Sequence, residues 1–300
     1  MLAYGTWLAL LILAGTALAA TPQANINDVP PDLTVPPVTN DKPAPGKRVR
    51  QVADEYKGTQ VHHSLYLPTD WKQGDTYPVI VEYAGNGPYK SRHGDISAGT
   101  VNGSSLGYGV SGGRGFIWVC MPYVSADRKN NQTQWWGDAN ATAEYCKTVV
   151  PRICRDYGGD PSAVFIAGFS RGAIACNYIG LRDDDIAAFW RGFICHSHYD
   201  GVRRWGYADS DRKSAAKRLK RLNGRPQFIS HENSVDQTRQ YLKQTCPAGN
   251  FTFLPLPFSN HTDKWLLRDI PQRKQLRQWV AEVLRTRPDK DEETKTKRKQ

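Results

Sequence analysis

The stretch "AVFIAGFSRGAIAC", residues 163–176, sets a short apolar run against a serine held between two glycines, with a helix-like segment directly behind it. Continuous apolar character over 163–169 predicts a strand buried on both faces. The run 171–181 predicts a helix. A strand that passes into a helix within one residue leaves that residue on a sharp turn at the sheet's carboxyl edge. Glycines two before and two after relieve the crowding such a turn creates. Ser170 is therefore the candidate nucleophile, and the rest of the chain is read for what would activate it.

Further apolar runs lie on both sides: "VHHSLYL" (61–67), "YPVIVEY" (77–83), "GFIWVCM" (115–121), "GFICH" (192–196), "PQFIS" (226–230) and "FTFLPLP" (251–257). Helical patterns fall between and after them at 139–155, with Pro151 as an expected kink, and at 214–222, 235–243 and 271–285. The last begins with Pro271 and sets Leu276, Trp279, Val280, Val283 and Leu284 on one stripe. Repeated strand-helix-strand order specifies an α/β fold, a mainly parallel central sheet with helices on both faces.

A serine hydroxyl needs a base to take its proton, and the base needs a third group to orient it. In "FISHENSVDQTRQYL" Asp236 follows a buried strand at the start of a helix and is the expected acid, with Glu232 in reserve. In "FLPLPFSNHTDKW" His261 stands in a polar loop before the last helix and is the expected base. The oxyanion donors are expected to be two backbone N–H groups. One belongs to Arg171, directly after the nucleophile. The other belongs to Asn86 in "YAGNG", where Gly85 and Gly87 allow a sharp turn.

The order "YAGNG", "GFSRGA", "SVD", "NHTDKW" resembles the α/β-hydrolase superfamily over most of 61–285, and within it bacterial secreted esterases of the polyester-depolymerase and feruloyl-esterase kind. That resemblance implies an eight-stranded sheet, a Ser170, Asp236, His261 triad and no cofactor. Two departures stand out: "YAGNG" lacks a histidine-glycine pair, and Ala173 stands where many esterases have glycine. Arg171 is a third, with a guanidinium expected to meet an oxyanion, an acidic substrate group or a salt bridge under the helix.

Trp135 and Trp136 in "NQTQWWGD" suit a stacking platform on the same edge, and His196 and His198 in "CHSHYDG" are expected to line the pocket. The H-x-H-x-D spacing of His196, His198 and Asp200 also carries an alternative, a metal-dependent hydrolase. A non-catalytic binder of acidic polymer is the other alternative, because the net charge is +11. No nucleic-acid recognition motif accompanies that charge.

Residues 1–20 read as a signal peptide, with an apolar run and Ala17-Leu18-Ala19 before the expected cleavage near Ala20 or Thr21. This predicts a secreted or periplasmic protein without stable membrane insertion after cleavage. Residues 21–50 carry repeated prolines and read as a linker, 51–286 as the catalytic domain and 287–300 as a charged disordered tail. Six cysteines in 300 residues do not make a dense disulfide framework. On one helix, Cys146 and Cys154 would stand about 12 Å apart and could not bridge.

Overall fold

The computed structural model describes residues 24–286. The segment 1–20, expected to be a signal peptide, and the expected tail 287–300 lie outside the described residues.

In chain order the strands are β1 (Val38–Thr39), β2 (Arg48–Gln51), β3 (His63–Tyr66), β4 (Tyr77–Tyr83), β5 (Tyr89–Lys90), β6 (Ile96–Ser97), β7 (Ile117–Met121), β8 (Gly159–Phe169), β9 (Trp190–His196), β10 (Gln227–Glu232) and β11 (Phe251–Leu256). The helices are α1 (Leu106–Ser111), α2 (Ala139–Tyr157), α3 (Arg171–Tyr178), α4 (Asp184–Ala187), α5 (Arg212–Leu219), α6 (Asp236–Thr245) and α7 (Pro271–Arg285). Nine strands form one sheet in the order β1-β2-β3-β7-β4-β8-β9-β10-β11, one more than the resemblance implies. From β7 to β11 every neighbouring pair is parallel, and β3 joins β2 and β7 antiparallel. β5 and β6 make a separate two-stranded hairpin.

Alternation along the buried strands divides the core into two layers. Val79, Val81 and Tyr83 of β4 face the layer that holds α2 and α3, with Val164 and Ile166 of β8. Ile80, Phe165, Ala167 and Phe169 face the other, where Trp279 of α7 packs on Phe228 at 5.5 Å between ring centres. α2 starts where the Asp138 carboxylate accepts the Ala141 N–H at 2.9 Å, and it runs through Pro151. It ends at Gly158, whose φ of +75° and approach to the Asp75 carbonyl leave no space for a Cβ.

The described part of the proline-rich segment is not a linker. Ile26 is fully buried, its N–H bonds the Asn260 side chain at 2.8 Å, and Asp32 forms a two-pronged ion pair with Arg273 at 2.7 Å. β2 pairs with β3, and the buried Arg48 guanidinium lies 4.1 Å over the Trp118 ring. These contacts are made with residues far along the chain, so proline content alone misreads the segment.

Candidate active site

The turn at Ser170 is built by close approach. Ser170 has φ +56° and ψ −115°, a conformation that a non-glycine residue holds only when its surroundings impose it. A Cβ on Gly168 would fall 2.2 Å from Gly172 backbone, and one on Gly172 would fall 1.9 Å from the Tyr83 carbonyl oxygen. Both glycines are thus obligatory: they let the end of β8, the start of α3 and the end of β4 crowd together. The crowding lifts Ser170 above the sheet edge.

His261 sits in the loop after β11. The preceding Asn260 is buried and anchors this loop, donating to both Asp95 carboxylate oxygens at 3.1 Å and to Asn25 at 2.9 Å. His261 Nε2 is 3.0 Å from Ser170 Oγ, and His261 Nδ1 is 2.6 Å from Glu232 Oε1. With Ser170 donating to Nε2, the ring proton belongs on Nδ1, directed at the carboxylate. Ser197 Oγ donates to the same Glu232 oxygen at 2.9 Å and also lies 2.9 Å from His261 Nδ1. Burial pushes the Glu232 carboxyl up, but the His261 hydrogen bond and the neighbouring imidazoles outweigh it and hold it well below the ordinary carboxylate range. The Phe169 ring packs on His261 at 4.7 Å and the edge of Tyr89 meets it at 5.5 Å.

Asp236, the expected acid, is not at this position. It opens α6 with its side chain 76% exposed, accepting from Ser234 Oγ at 2.7 Å and from Arg239 at 2.8 Å. Glu232 is the last residue of β10, so the strand's direction carries it to the sheet edge beside His261. The chain has left that edge by residue 236.

Arg171 and Asn86 both border the cavity at Ser170. The Arg171 N–H belongs to the first turn of α3, where backbone donors have no partner within the helix. Asn86 is fixed through its side chain, which accepts the Trp135 N–H at 2.8 Å, while Gly87 N–H donates to the Thr133 carbonyl at 3.0 Å. The Arg171 guanidinium does none of the things expected of it. Buried and 3.8 Å over the Tyr123 ring, it donates to the carbonyls of Trp135 at 2.6 Å, Gly85 at 2.9 Å and Gly99 at 3.3 Å. Burial lowers its pKa to about 10, and it ties the Asn86 turn to the tryptophan loop.

A cavity of about 150 Å³ opens at Ser170, bordered by Tyr89, Trp135, Phe169, His198 and Trp205. An apolar cavity of about 150 Å³ is enough to hold a benzene ring. The other two expected lining residues lie elsewhere. Trp136 is buried, stacked on Tyr178 at 4.6 Å, because adjacent residues point to opposite sides of the loop. His196 ends β9 fully buried, with Nδ1 3.0 Å from Ser230 Oγ and Nε2 2.9 Å from the Thr262 carbonyl. Burial lowers His196 to about 4 and His198 to about 3, so both rings are neutral at pH 7.

The H-x-H-x-D residues do not converge on a metal. Asp200 is held by Arg218 in a buried pair at 2.8 and 3.0 Å, and both His196 ring nitrogens are engaged. Among the described residues no group of three or more His, Cys, Asp or Glu side chains is arranged to hold a metal ion. All six cysteines are free. No described helix is long and apolar enough to cross a membrane.

Sequence reasoning gave no role to Ser197, Tyr89, Phe169 or Trp205. Phe169 and Ser197 are neighbours in sequence of the candidates Ser170 and His196, whereas Trp205 comes from an irregular segment and Tyr89 from the two-residue strand β5, neither long enough to show a period.

No family model and no curated protein matches the chain. Solved structures do. Thermogutta terrifontis esterase 2, phosphorylated by paraoxon, superposes with a TM-score of 0.54 at 15% identity, over 80% of this chain and 94% of that one. A fungal esterase from Rhizomucor miehei gives 0.53 at 13% identity, over 79% and 82%. Porphyromonas gingivalis dipeptidyl peptidase 4 gives 0.53 at 13% identity, over 80% of this chain and 36% of that one. At these identities the likeness is one of fold: the chain has the α/β-hydrolase fold.

Proposed function

We propose that this protein is a serine hydrolase that cleaves a carboxylic ester through an acyl-enzyme. The observation that carries the reading is the unbroken chain of contacts from Ser170 Oγ through the His261 ring to Glu232, at 3.0 and 2.6 Å. In this scheme Ser170 Oγ attacks the ester carbonyl carbon as His261 Nε2 takes its proton. Glu232 holds the Nδ1 proton and stabilises the imidazolium that forms. The negative charge that develops on the carbonyl oxygen is met by the N–H groups of Arg171 and Asn86. Collapse breaks the bond to the alcohol, which leaves with the proton from His261. A water deprotonated by the same nitrogen then attacks the acyl-enzyme, releasing the acid and restoring Ser170.

Trp135 and His198 border the acyl or alcohol group of the ester in this reading, with Trp136 behind Trp135 at 6.1 Å between ring centres and His196 stacked on Phe169 at 5.5 Å. The choice of an ester follows the neighbours that are named as esterases. The test is hydrolysis of 4-nitrophenyl butyrate beside the matching 4-nitroanilide. Ester turnover that Ser170→Ala abolishes supports the proposal; a folded wild type inactive on esters, or equally active after Ser170→Ala, overturns it.

Export is part of the proposal and rests on the sequence of residues 1–20. Protein recovered outside the cytoplasm with its N-terminus near residue 20 or 21 supports it, and an intact chain kept inside contradicts it.

A further inference from the structure

His196 and His198 stand two residues apart at the end of β9, and the fold treats them differently. Both His196 ring nitrogens are engaged, by Ser230 Oγ and the Thr262 carbonyl. Neither His198 ring nitrogen has a hydrogen-bond partner among the described residues. The ring is held by its neighbours' rings instead, 5.2 Å from His261 and 5.4 Å from Trp205 between centres. His198 and Trp205 line both the cavity at Ser170 and a second, adjoining cavity of about 230 Å³. Folds pair nearly all the polar groups they enclose, so an unpaired ring beside a nucleophile points to a substrate group. Burial keeps the His198 ring neutral at pH 7, so one of its nitrogens donates and the other accepts.

The rest of the lining narrows the chemistry of that group. Glu232 borders the second cavity, and its Oε2 is buried without a hydrogen-bond partner, 3.6 Å from His231 Nδ1. The exposed Arg203 stands at the same cavity, and Trp205 Nε1 is a buried donor without a partner. A carboxylate would meet the charge of Glu232, and an ammonium would meet Arg203 and the ring N–H groups. A hydroxyl donates and accepts, and suits this lining without burying a charge. The alcohol of an ester departs with the proton from His261 Nε2, so the alcohol part lies on the His261 side of the scissile carbonyl. His198 flanks His261 and opens that side to the second cavity.

Resting on the serine-hydrolase reading above, we propose that His198 is a specificity-determining residue that hydrogen-bonds a hydroxyl on the alcohol part of the ester, which extends past Trp205 into the second cavity. The substrate class is thus the ester of a polyhydric alcohol.

The experiment compares glycerol 1-monobutyrate with propyl butyrate, the same chain without the two free hydroxyls, by pH-stat titration. Rates are corrected for the alkaline hydrolysis of each ester. The expected ratio of kcat/KM, glycerol ester over propyl ester, is about tenfold, the worth of one well-made neutral hydrogen bond. His198→Phe keeps a ring but removes both nitrogens, and brings the ratio close to one. His198→Gln still donates and accepts, and keeps part of it; a residue that only packed would be replaced better by Phe than by Gln. A wild-type ratio near one, or a ratio that survives His198→Phe, overturns the inference. So does a stronger preference for butyrylcholine than for the glycerol ester, which would make the second cavity a cation site. A fluorophosphonate probe run alongside separates this failure from that of the hydrolase reading. Protein that labels at Ser170 yet shows no hydroxyl preference loses only this inference; protein that does not label loses both readings.

Discussion

Replacing Glu232 by Gln keeps size and position but removes the charge that faces His261 Nδ1 across 2.6 Å. If the amide turns its NH₂ group to the ring, Nδ1 must give up its proton and Nε2 loses the lone pair that accepts from Ser170. In a serine triad, the amide in place of the acid costs about 10⁴ in kcat for this reason. Here Ser197 Oγ remains 2.9 Å from Nδ1 and can still accept the ring proton, which retains part of the correct tautomer. The expected loss in kcat/KM is therefore nearer 10³, about 4 kcal/mol of transition-state stabilisation, with KM little changed. Adding Ser197→Ala to Glu232→Gln should deepen the loss by about another tenfold. Asp236→Asn alters an exposed carboxylate and should cost less than about threefold. The assay is 4-nitrophenyl butyrate hydrolysis at pH 7.5, with thermal melts to establish that each variant is folded. A hundredfold loss in Asp236→Asn, together with more than a tenth of wild-type activity in Glu232→Gln, would refute the assignment.

Gly172→Ala places a Cβ 1.9 Å from the Tyr83 carbonyl oxygen, and should cost more than about 3 kcal/mol or prevent folding, read by denaturant titration. Trp136→Ala empties a buried site and should destabilise by about 3–5 kcal/mol, whereas Trp135→Ala should spare stability and raise KM for aryl esters. Acid should weaken the fold. His63, His196 and His198 have folded values near 3, 4 and 3, so below the ordinary value of about 6.5 the unfolded chain gains protons that the fold refuses. Each histidine then removes about 1.4 kcal/mol per pH unit, down to its folded value. Glu82, pushed up to about 7 by burial, acts in the opposite direction over the same window, and Asp263, also raised by burial, opposes the loss with the same sign. The net expectation is a loss of about 1–3 kcal/mol per unit between pH 6.5 and 5. Denaturant midpoints across that range check it, and a flat profile would contradict the buried neutral histidines.

The elements nearest Ser170 are the ones most legible in the sequence. Continuous apolar runs become β4, β7 and β8 because both faces of the sheet are covered, and the glycine spacing around the serine reflects contacts only a few residues away. The triad acid is less legible. Glu232 and Asp236 both follow the strand, and what separates them is whether the backbone still runs as β10 or has already turned into α6. The Trp135–Trp136 pair fails in the same way, since one residue's step sends its side chain to the other side of the loop. Arg171 could not be placed at all from local sequence. Its carbonyl partners come from Gly85, Gly99 and Trp135, three segments that only the folded chain brings together. Residues 24–50 are misread for a related cause: their partners, Asn260 and Arg273, lie more than 200 positions away.

The central claim is that Ser170 is an activated nucleophile, and the most direct measurement is reaction of the purified protein with a fluorophosphonate, read by intact mass and peptide mapping. The account predicts a single adduct on Ser170, absent in Ser170→Ala and strongly slowed in His261→Ala. A folded wild-type protein that takes up no probe, or takes it up at another residue, would contradict it.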